Sequence, residues 1–305
     1  MIQAVYRSPA SLGKLGRALV AIALFAFAVV PAAAQQKCFP TAEAAAEAFI
    51  AAEQSSDESA LMGLFGPDFR ELFPPLGDNE RTRFANAWAA SHKVISGGDQ
   101  ARIAVGTDGW TFPIPLLKTA QGWRFDMAAG AEEMRIRRIG SNEAAAMQVS
   151  LALYDAQKEY ASTYRDGLLQ YAQMIKSSPG KQDGLYWPTR EGEPPSPLGA
   201  LVAKAKAANA KKDQGYHGYH YRILTAQGKD APGGARDYVV KGHMIGGFAV
   251  LAWPVKYGDT GVMTFMLNYQ GVIYQKDLGP ETAGEAGKIK LFNPGEGWKK
   301  VDSPI

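Results

Sequence analysis

Few side chains in this chain could do bond-making chemistry, and their spacing is the first thing to test. There are four histidines, His92, His217, His220 and His243. Two fall in the run Tyr216-His217-Gly218-Tyr219-His220-Tyr221. On a strand, side chains alternate, so His217 and His220 face opposite ways, and a shared metal would require a bulge at Gly218. His243 belongs to a turn before the next strand. These residues keep open a metal-dependent or hydrolytic enzyme working in the cell envelope, whereas the plainer reading packs each histidine among aromatic rings. No HExxH and no zinc-type Cys/His spacing occurs, so no metal or other cofactor is expected. Ser196 sits in Pro-Pro-Ser-Pro, outside the strand-to-helix frame of a nucleophile elbow. Acid–base pairs such as Asp183 with Glu191 or Glu193 could meet in the long loop. Gly233-Gly234 and Gly246-Gly247 lack the following helix and Lys-Ser/Thr of a phosphate cradle.

Aromatic side chains beside Gly/Pro loops are the stronger signal. Tyr186, Trp187, Tyr216, Tyr219, Trp253 and Tyr257 could line one groove, with Lys276 and Asp277 at a sheet end. Rings with a few polar groups suit peptide or glycan recognition. The candidate binding residues are therefore Tyr186, Trp187, His217, Tyr219, Trp253, Tyr257 and Lys276. The expected activity is non-catalytic binding or scaffolding, with an envelope protein or glycan as partner. The competing structural reading has the same rings plug a core.

The elements that would position these residues are of α+β type. After Phe39-Pro40, Thr41 caps an alanine-rich helix to Glu53, Asp57 caps a second to Phe65, and a third spans Glu80–His92 with Phe84 and Trp88 inward. The period then changes to strands at Arg102–Val105, Trp110–Lys118 and Gly122–Asp126. A short helix over Gly130–Arg138 with Arg135, Arg137 and Arg138 follows, read as a solvated face or a clamp between domains, with an anion site as the sharper alternative. Gly140-Ser141-Asn142 restarts a helix to about Tyr164, whose Ala146, Val149, Leu153, Ala156 and Tyr160 form an apolar seam. Tyr171–Lys176 reads as another helical turn or two. Ser178–Gly199 has five prolines and four glycines among 22 residues, a loop of the length that is usually functional or mobile. After a helix over Leu198–Asn209, strands are expected at Tyr219–Thr225, Met244–Trp253, Val262–Leu267 and Val272–Lys276, an antiparallel meander packed under the seamed helix. The domains are then 38–128 and 130–280, with a loosely structured tail over 281–305.

Residues 1–34 read as a secretory leader. Arg7, Lys14 and Arg17 precede an apolar core, Ala18–Val30, of 13 residues, too short for the ~20 of a membrane helix. Cleavage is expected after Ala34 and places the protein in the periplasm, with no membrane span left. The formal net charge of +3 disappears with the three leader cations, leaving 30 basic residues against 30 acidic ones. No basic stripe remains to argue for nucleic acid. Cys38 is the single cysteine, so no intrachain disulfide forms. Gln36-Lys37 before it differ from the small apolar residues of a lipoprotein signal, so a free or intermolecular thiol is expected.

Two longer resemblances join these readings. Gly184-Leu185-Tyr186-Trp187-Pro188, Glu193-Pro194-Pro195-Ser196-Pro197-Leu198-Gly199, Gly246-Gly247-Phe248-Ala249 and Tyr274-Gln275-Lys276-Asp277-Leu278-Gly279 resemble an uncharacterised family of exported bacterial proteins, domain-of-unknown-function family 2950. That resemblance implies export and supplies no activity. Residues Asn142–Lys276, with Tyr160-Ala161-Ser162, Gly218-Tyr219-His220-Tyr221 and Ala252-Trp253-Pro254, resemble the globular heads of type IV pilin-like proteins, which implies an accessory role in a pilin-type or secretion system. A pilin's long N-terminal assembly helix is absent, so only the head fold would carry over. The helices followed by Leu116-Leu117-Lys118 and Gly122-Trp123-Arg124-Phe125-Asp126 resemble nuclear-transport-factor-2-like domains, by fold alone.

Overall fold

The computed structural model describes residues 36–207 and 214–302; the leader expected over residues 1–34 lies outside the described residues. The fold is α+β, with two separate hydrophobic cores joined by one helix.

The first core is built by α1 (Ala42–Ser55), α2 (Glu58–Phe65), α3 (Phe69–Leu72) and α4 (Asp78–Ala90) against an antiparallel sheet of β1 (His92–Gly97), β2 (Gln100–Val105), β3 (Leu116–Thr119) and β4 (Gly122–Phe125). Thr41 and Asp57 cap α1 and α2 by accepting from the amides of Ala44 and Ala60, as their positions predict. Phe49 is the centre, with Phe65, Phe84, Phe112 and Phe125 at centroid distances of 4.5–5.9 Å. Two expectations change here. The run after α4 is a strand, β1, hidden from a hydropathy reading because both its faces are largely exposed. The expected strand Trp110–Lys118 shortens to β3, since Pro113 and Pro115 offer no ladder donor.

The next helix, α5 (Met127–Tyr160), runs unbroken for 34 residues. The expected restart at Gly140-Ser141-Asn142 does not occur. A helical glycine costs about 1 kcal/mol against alanine, and bonds on both sides outweigh it. Arg137 donates to the backbone and side-chain oxygens of Thr111 beside the first core. Arg135 donates to the carbonyl of Gly258 and Arg138 pairs with Asp259 beside the second sheet. Asn142 reaches Thr260 O instead of capping, and the Glu143 carboxylate accepts from the amides of Val262 and Met263, each at 2.9 Å. The three arginines therefore act as a clamp. At the other contact, a Cβ on Gly130 would lie 2.8 Å from Ile114 Cγ1, and Ile114 is fully buried. Gly130→Val is expected to destabilise by about 1–3 kcal/mol through overpacking, measured as a shift of the urea midpoint; an unchanged midpoint would contradict this close approach.

Past α5 come a hairpin of β5 (Tyr164–Arg165) and β6 (Leu168–Leu169), then β7 (Met174–Lys176) paired parallel with β8 (Gly184–Tyr186), and α6 (Gly199–Ala207). The expected helical turn over Tyr171–Lys176 is thus extended chain. The second sheet contains β9 (Tyr219–Leu224). After it, β10 (Ala226–Gln227) pairs β11 (Arg236–Asp237), and β12 (Val239–Val240) pairs β13 (His243–Met244). The sheet continues with β14 (Ala249–Pro254), β15 (Met263–Asn268) and β16 (Ile273–Asp277); α7 (Thr282–Lys288) and β17 (Lys299–Lys300) follow. Its order is β17-β16-β15-β14-β9, antiparallel throughout. Expectation joined β13 to β14. They separate because Gly246 and Gly247 let the chain cross the backbone and ring of Tyr238; Gly247 has φ 133°, a conformation that favours glycine.

The seam Ala146, Val149, Leu153, Ala156 and Tyr160 is buried and packs against β14 and β15. Val250, Leu251, Phe265 and Met266 are all buried, so both faces of these strands need a cover. The second cover is the C-terminal segment, with Ala286 and Phe292 buried. Arg222 donates to the carbonyls of Ala286 and Ile289 and so ties α7 to the sheet. Residues 281–302 are therefore a structural layer and not a loose tail.

Candidate functional site

A cleft of about 560 Å³ opens where α5 ends. Its wall combines Tyr160 and Tyr171 with Arg165, Asp166, Lys181, Asp183, His243 and the amides of Gln170, Gln173 and Gln182. The volume lies within the usual range for small-molecule sites.

Local sequence explains each part. The last turn of α5 supplies Tyr160, whose hydroxyl donates to Gln182 O at 2.8 Å. Burial raises its pKa, so the phenol stays a donor. Arg165 donates to Tyr160 O and Thr163 O, and its guanidinium lies 3.7 Å from the Tyr160 ring centroid. A cation at a helix C-terminus is favoured by the helix dipole. Asp166 and Gly167, at φ 51° and 75°, make the two-residue hairpin turn in which Asp-Gly is preferred.

Gln157, fully buried on α5, holds the next wall. Its amide donates to Ala172 O at 2.7 Å and its carbonyl accepts from Ala172 N at 2.8 Å. Both backbone groups of Ala172 are thereby satisfied inside the core. Tyr171 N donates to Met244 O, and the Tyr171 ring meets Phe248 at 4.9 Å. Gln173 donates to Gly242 O. Gln170 donates through its NH2 to Arg165 O, which turns its carbonyl toward His243 Nδ1 at 3.2 Å. Facing a carbonyl oxygen, Nδ1 is the donor of this bond.

Asp183 closes the cleft from the Ser178–Gly199 segment. Its carboxylate accepts from Ser178 N at 2.8 Å, and this bond holds its pKa below the ordinary 3.8. A depressed carboxylate pKa gives stability that is complete above the unfolded value and is lost as pH falls through the folded one. The Ser178 amide is expected to keep its NMR shift above pH 3.8 and to move below it; a shift independent of pH in acid would contradict the bond. The long segment does two things: Leu185 and Leu198 bury themselves in the core while Lys181–Asp183 lines the cleft.

Chemically, the cleft offers two cations, two carboxylates, three amides and two phenol rings. Its charges balance, which suits a neutral, hydroxyl-rich ligand. His243 is bonded to an amide and not to a carboxylate or a nucleophile.

The sequence-derived candidates fall in several places. Trp187 adjoins the cleft, with Tyr160 at 6.5 Å and Arg165 at 6.0 Å. Tyr186 lies on β8, paired with Lys176. Tyr219 is fully buried and donates to Met263 O; burial raises its pKa strongly. Trp253 meets His220 in a tilted contact at 5.5 Å and lies 5.4 Å from the Arg222 guanidinium. Tyr257 donates to Asp277, and Lys276 donates to Glu296 O. Tyr216 belongs with Tyr221 to an apolar recess under α6. His217 has φ 51° and occupies a turn with Gly218 instead of a strand position, so the alternation expected of the two histidines does not apply. Among the described residues no three His, Cys, Asp or Glu side chains are grouped to hold a metal. Asp183 and Glu193 serve separate turns, Glu193 accepting from Arg190 N. Sequence reasoning passed over Arg165, Asp166, Gln170, Gln173 and His243 as a group. The Asp-Gly turn was the available signal.

No helix among the described residues is long and apolar enough to cross a membrane. No curated protein and no solved structure matches the chain. The model of one family, the proteins of unknown function designated DUF2950, matches residues 36–301, and the chain belongs to that family.

Proposed function

We propose that this protein is exported, with its leader ending near Ala34, and serves as a non-catalytic module of the cell envelope that holds a glycan in the cleft at the end of α5. The single observation that carries this reading is the composition of that cleft: planar amides and carboxylates beside two phenol rings, in a charge-balanced space of about 560 Å³. Amide and carboxylate groups pair with vicinal hydroxyls, and the half-buried Tyr171 ring can cover the apolar side of a sugar. A strongly anionic ligand would meet Asp166 and Asp183.

Calorimetric titration with N-acetylglucosamine oligosaccharides, as neutral fragments of envelope glycan, tests the reading. The wild-type chain is expected to bind, and Gln173→Ala with Lys181→Ala to weaken binding about tenfold or more, a loss of about 1.4 kcal/mol. Both side chains are exposed, so the double variant is expected to melt like wild type. Equal affinity of the two proteins would contradict the assignment. Mass spectrometry of the exported chain is expected to find Gln35 first.

A further inference from the structure

The first core holds a second, quite different recess. Phe49, Phe73, Leu76, Phe84, Trp110, Phe112 and Pro113 line about 230 Å³, and Glu80 is the one charged neighbour. Four of its rings form a closed circuit of contacts: Phe49 to Phe84 at 5.8 Å, Phe84 to Trp110 at 6.3 Å, Trp110 to Phe112 at 6.5 Å and Phe112 back to Phe49 at 4.5 Å. Phe49 and Phe112 are buried and form the floor, while Trp110 is 42% exposed and stands at the lip.

We propose that this recess is a binding site for a small uncharged hydrocarbon group, of the size of an alkyl-substituted single aromatic ring. It is independent of the glycan reading. Volume sets the size: a dry cavity of about 150 Å³ lined by Leu, Ile and Phe takes benzene, and this one is larger. The lining sets the polarity. Water inside would find one carboxylate and otherwise carbon, and a peptide backbone would leave its N–H and C=O groups unpaired. Charge argues for an uncharged guest, because Glu80 already pairs with Arg83 at 3.3 Å, and Trp110 already has Arg137 at 6.0 Å. The phenyl edges and faces around the circuit favour an aromatic guest, which gains edge-to-face contacts beyond its area. The Phe73–Gly77 segment, with Pro74 and Pro75, links α3 to α4 as one wall and brings Leu76 to the recess.

The test uses the full chain and n-butylbenzene. Binding is expected to raise the melting temperature and to give nuclear Overhauser effects from the probe to the Phe49, Phe84 and Trp110 rings. Leu76→Trp, which fills the recess, is expected to weaken binding at least about tenfold. Absence of binding to the wild type up to the probe's solubility limit would overturn the proposal. So would equal binding by Leu76→Trp, or Overhauser effects confined to Val149, Leu153 and Val202 in the recess under α6. Should Leu76→Trp fail to fold, the wild-type Overhauser pattern decides alone, and it does not depend on oligosaccharide binding.

Discussion

Gln157→Leu is expected to destabilise the protein by about 2–6 kcal/mol. Leucine keeps the approximate volume on α5 but removes both partners of Ala172, whose N–H and C=O are buried. Each orphaned buried group costs about 1–3 kcal/mol. The loss is expected to be local as well as global, because Ala172 lies between Tyr171 and Gln173 in the cleft wall. Amide exchange at Ala172 should accelerate beyond that of the β14 amides. A protonated Glu carboxyl in place of Gln157 can accept from Ala172 N–H and donate to Ala172 O, so Gln157→Glu is expected to cost less than leucine in acid and more as the buried carboxyl ionises. A leucine variant within about 0.5 kcal/mol of wild type in urea unfolding would show that the paired amide does not hold this wall.

Phe248→Ala carries the other large effect, about 3–5 kcal/mol. Phe248 is fully buried and contacts Tyr154 at 5.8 Å and Tyr171 at 4.9 Å. Truncation leaves a cavity between α5 and the chain that carries Tyr171, so stability and oligosaccharide affinity are expected to fall together. The Gln173→Ala, Lys181→Ala double variant should instead lose affinity alone. A Phe248→Ala protein that melts like wild type would place the ring outside the core; one that melts early yet binds unchanged would detach Tyr171 from recognition.

Much of the scaffold was legible before the structure. Strands β9, β14, β15 and β16 sit close to their expected positions because β-branched and aromatic runs between turn residues are a local signal. The apolar seam of α5 was legible by its period for the same reason. What escaped was set by distant partners. The continuity of α5 through Gly140 depends on Thr111, Gly258 and Asp259, which no window around the glycine contains. The C-terminal layer looked loose because its apolar residues are sparse, yet the unbroken apolar character of β14 already demanded a cover on its second face. The cleft was illegible for a related reason. Its residues come from 160–183 and 242–243, each stretch polar and unremarkable, and they meet through Gln157 and Gln170, buried amides that hydropathy does not distinguish from surface ones. The aromatic residues that did stand out are dispersed, with Tyr219 committed to the core.

Amide chemical-shift mapping of the full chain titrated with an N-acetylglucosamine oligosaccharide is the most direct test of the glycan cleft. Shifts are expected at Arg165–Asp166, Gln170–Gln173, Lys181–Asp183 and Gly242–His243, all saturating with one affinity. Shifts confined to the sheet end around Tyr257 and Lys276, or none at millimolar oligosaccharide, would contradict it.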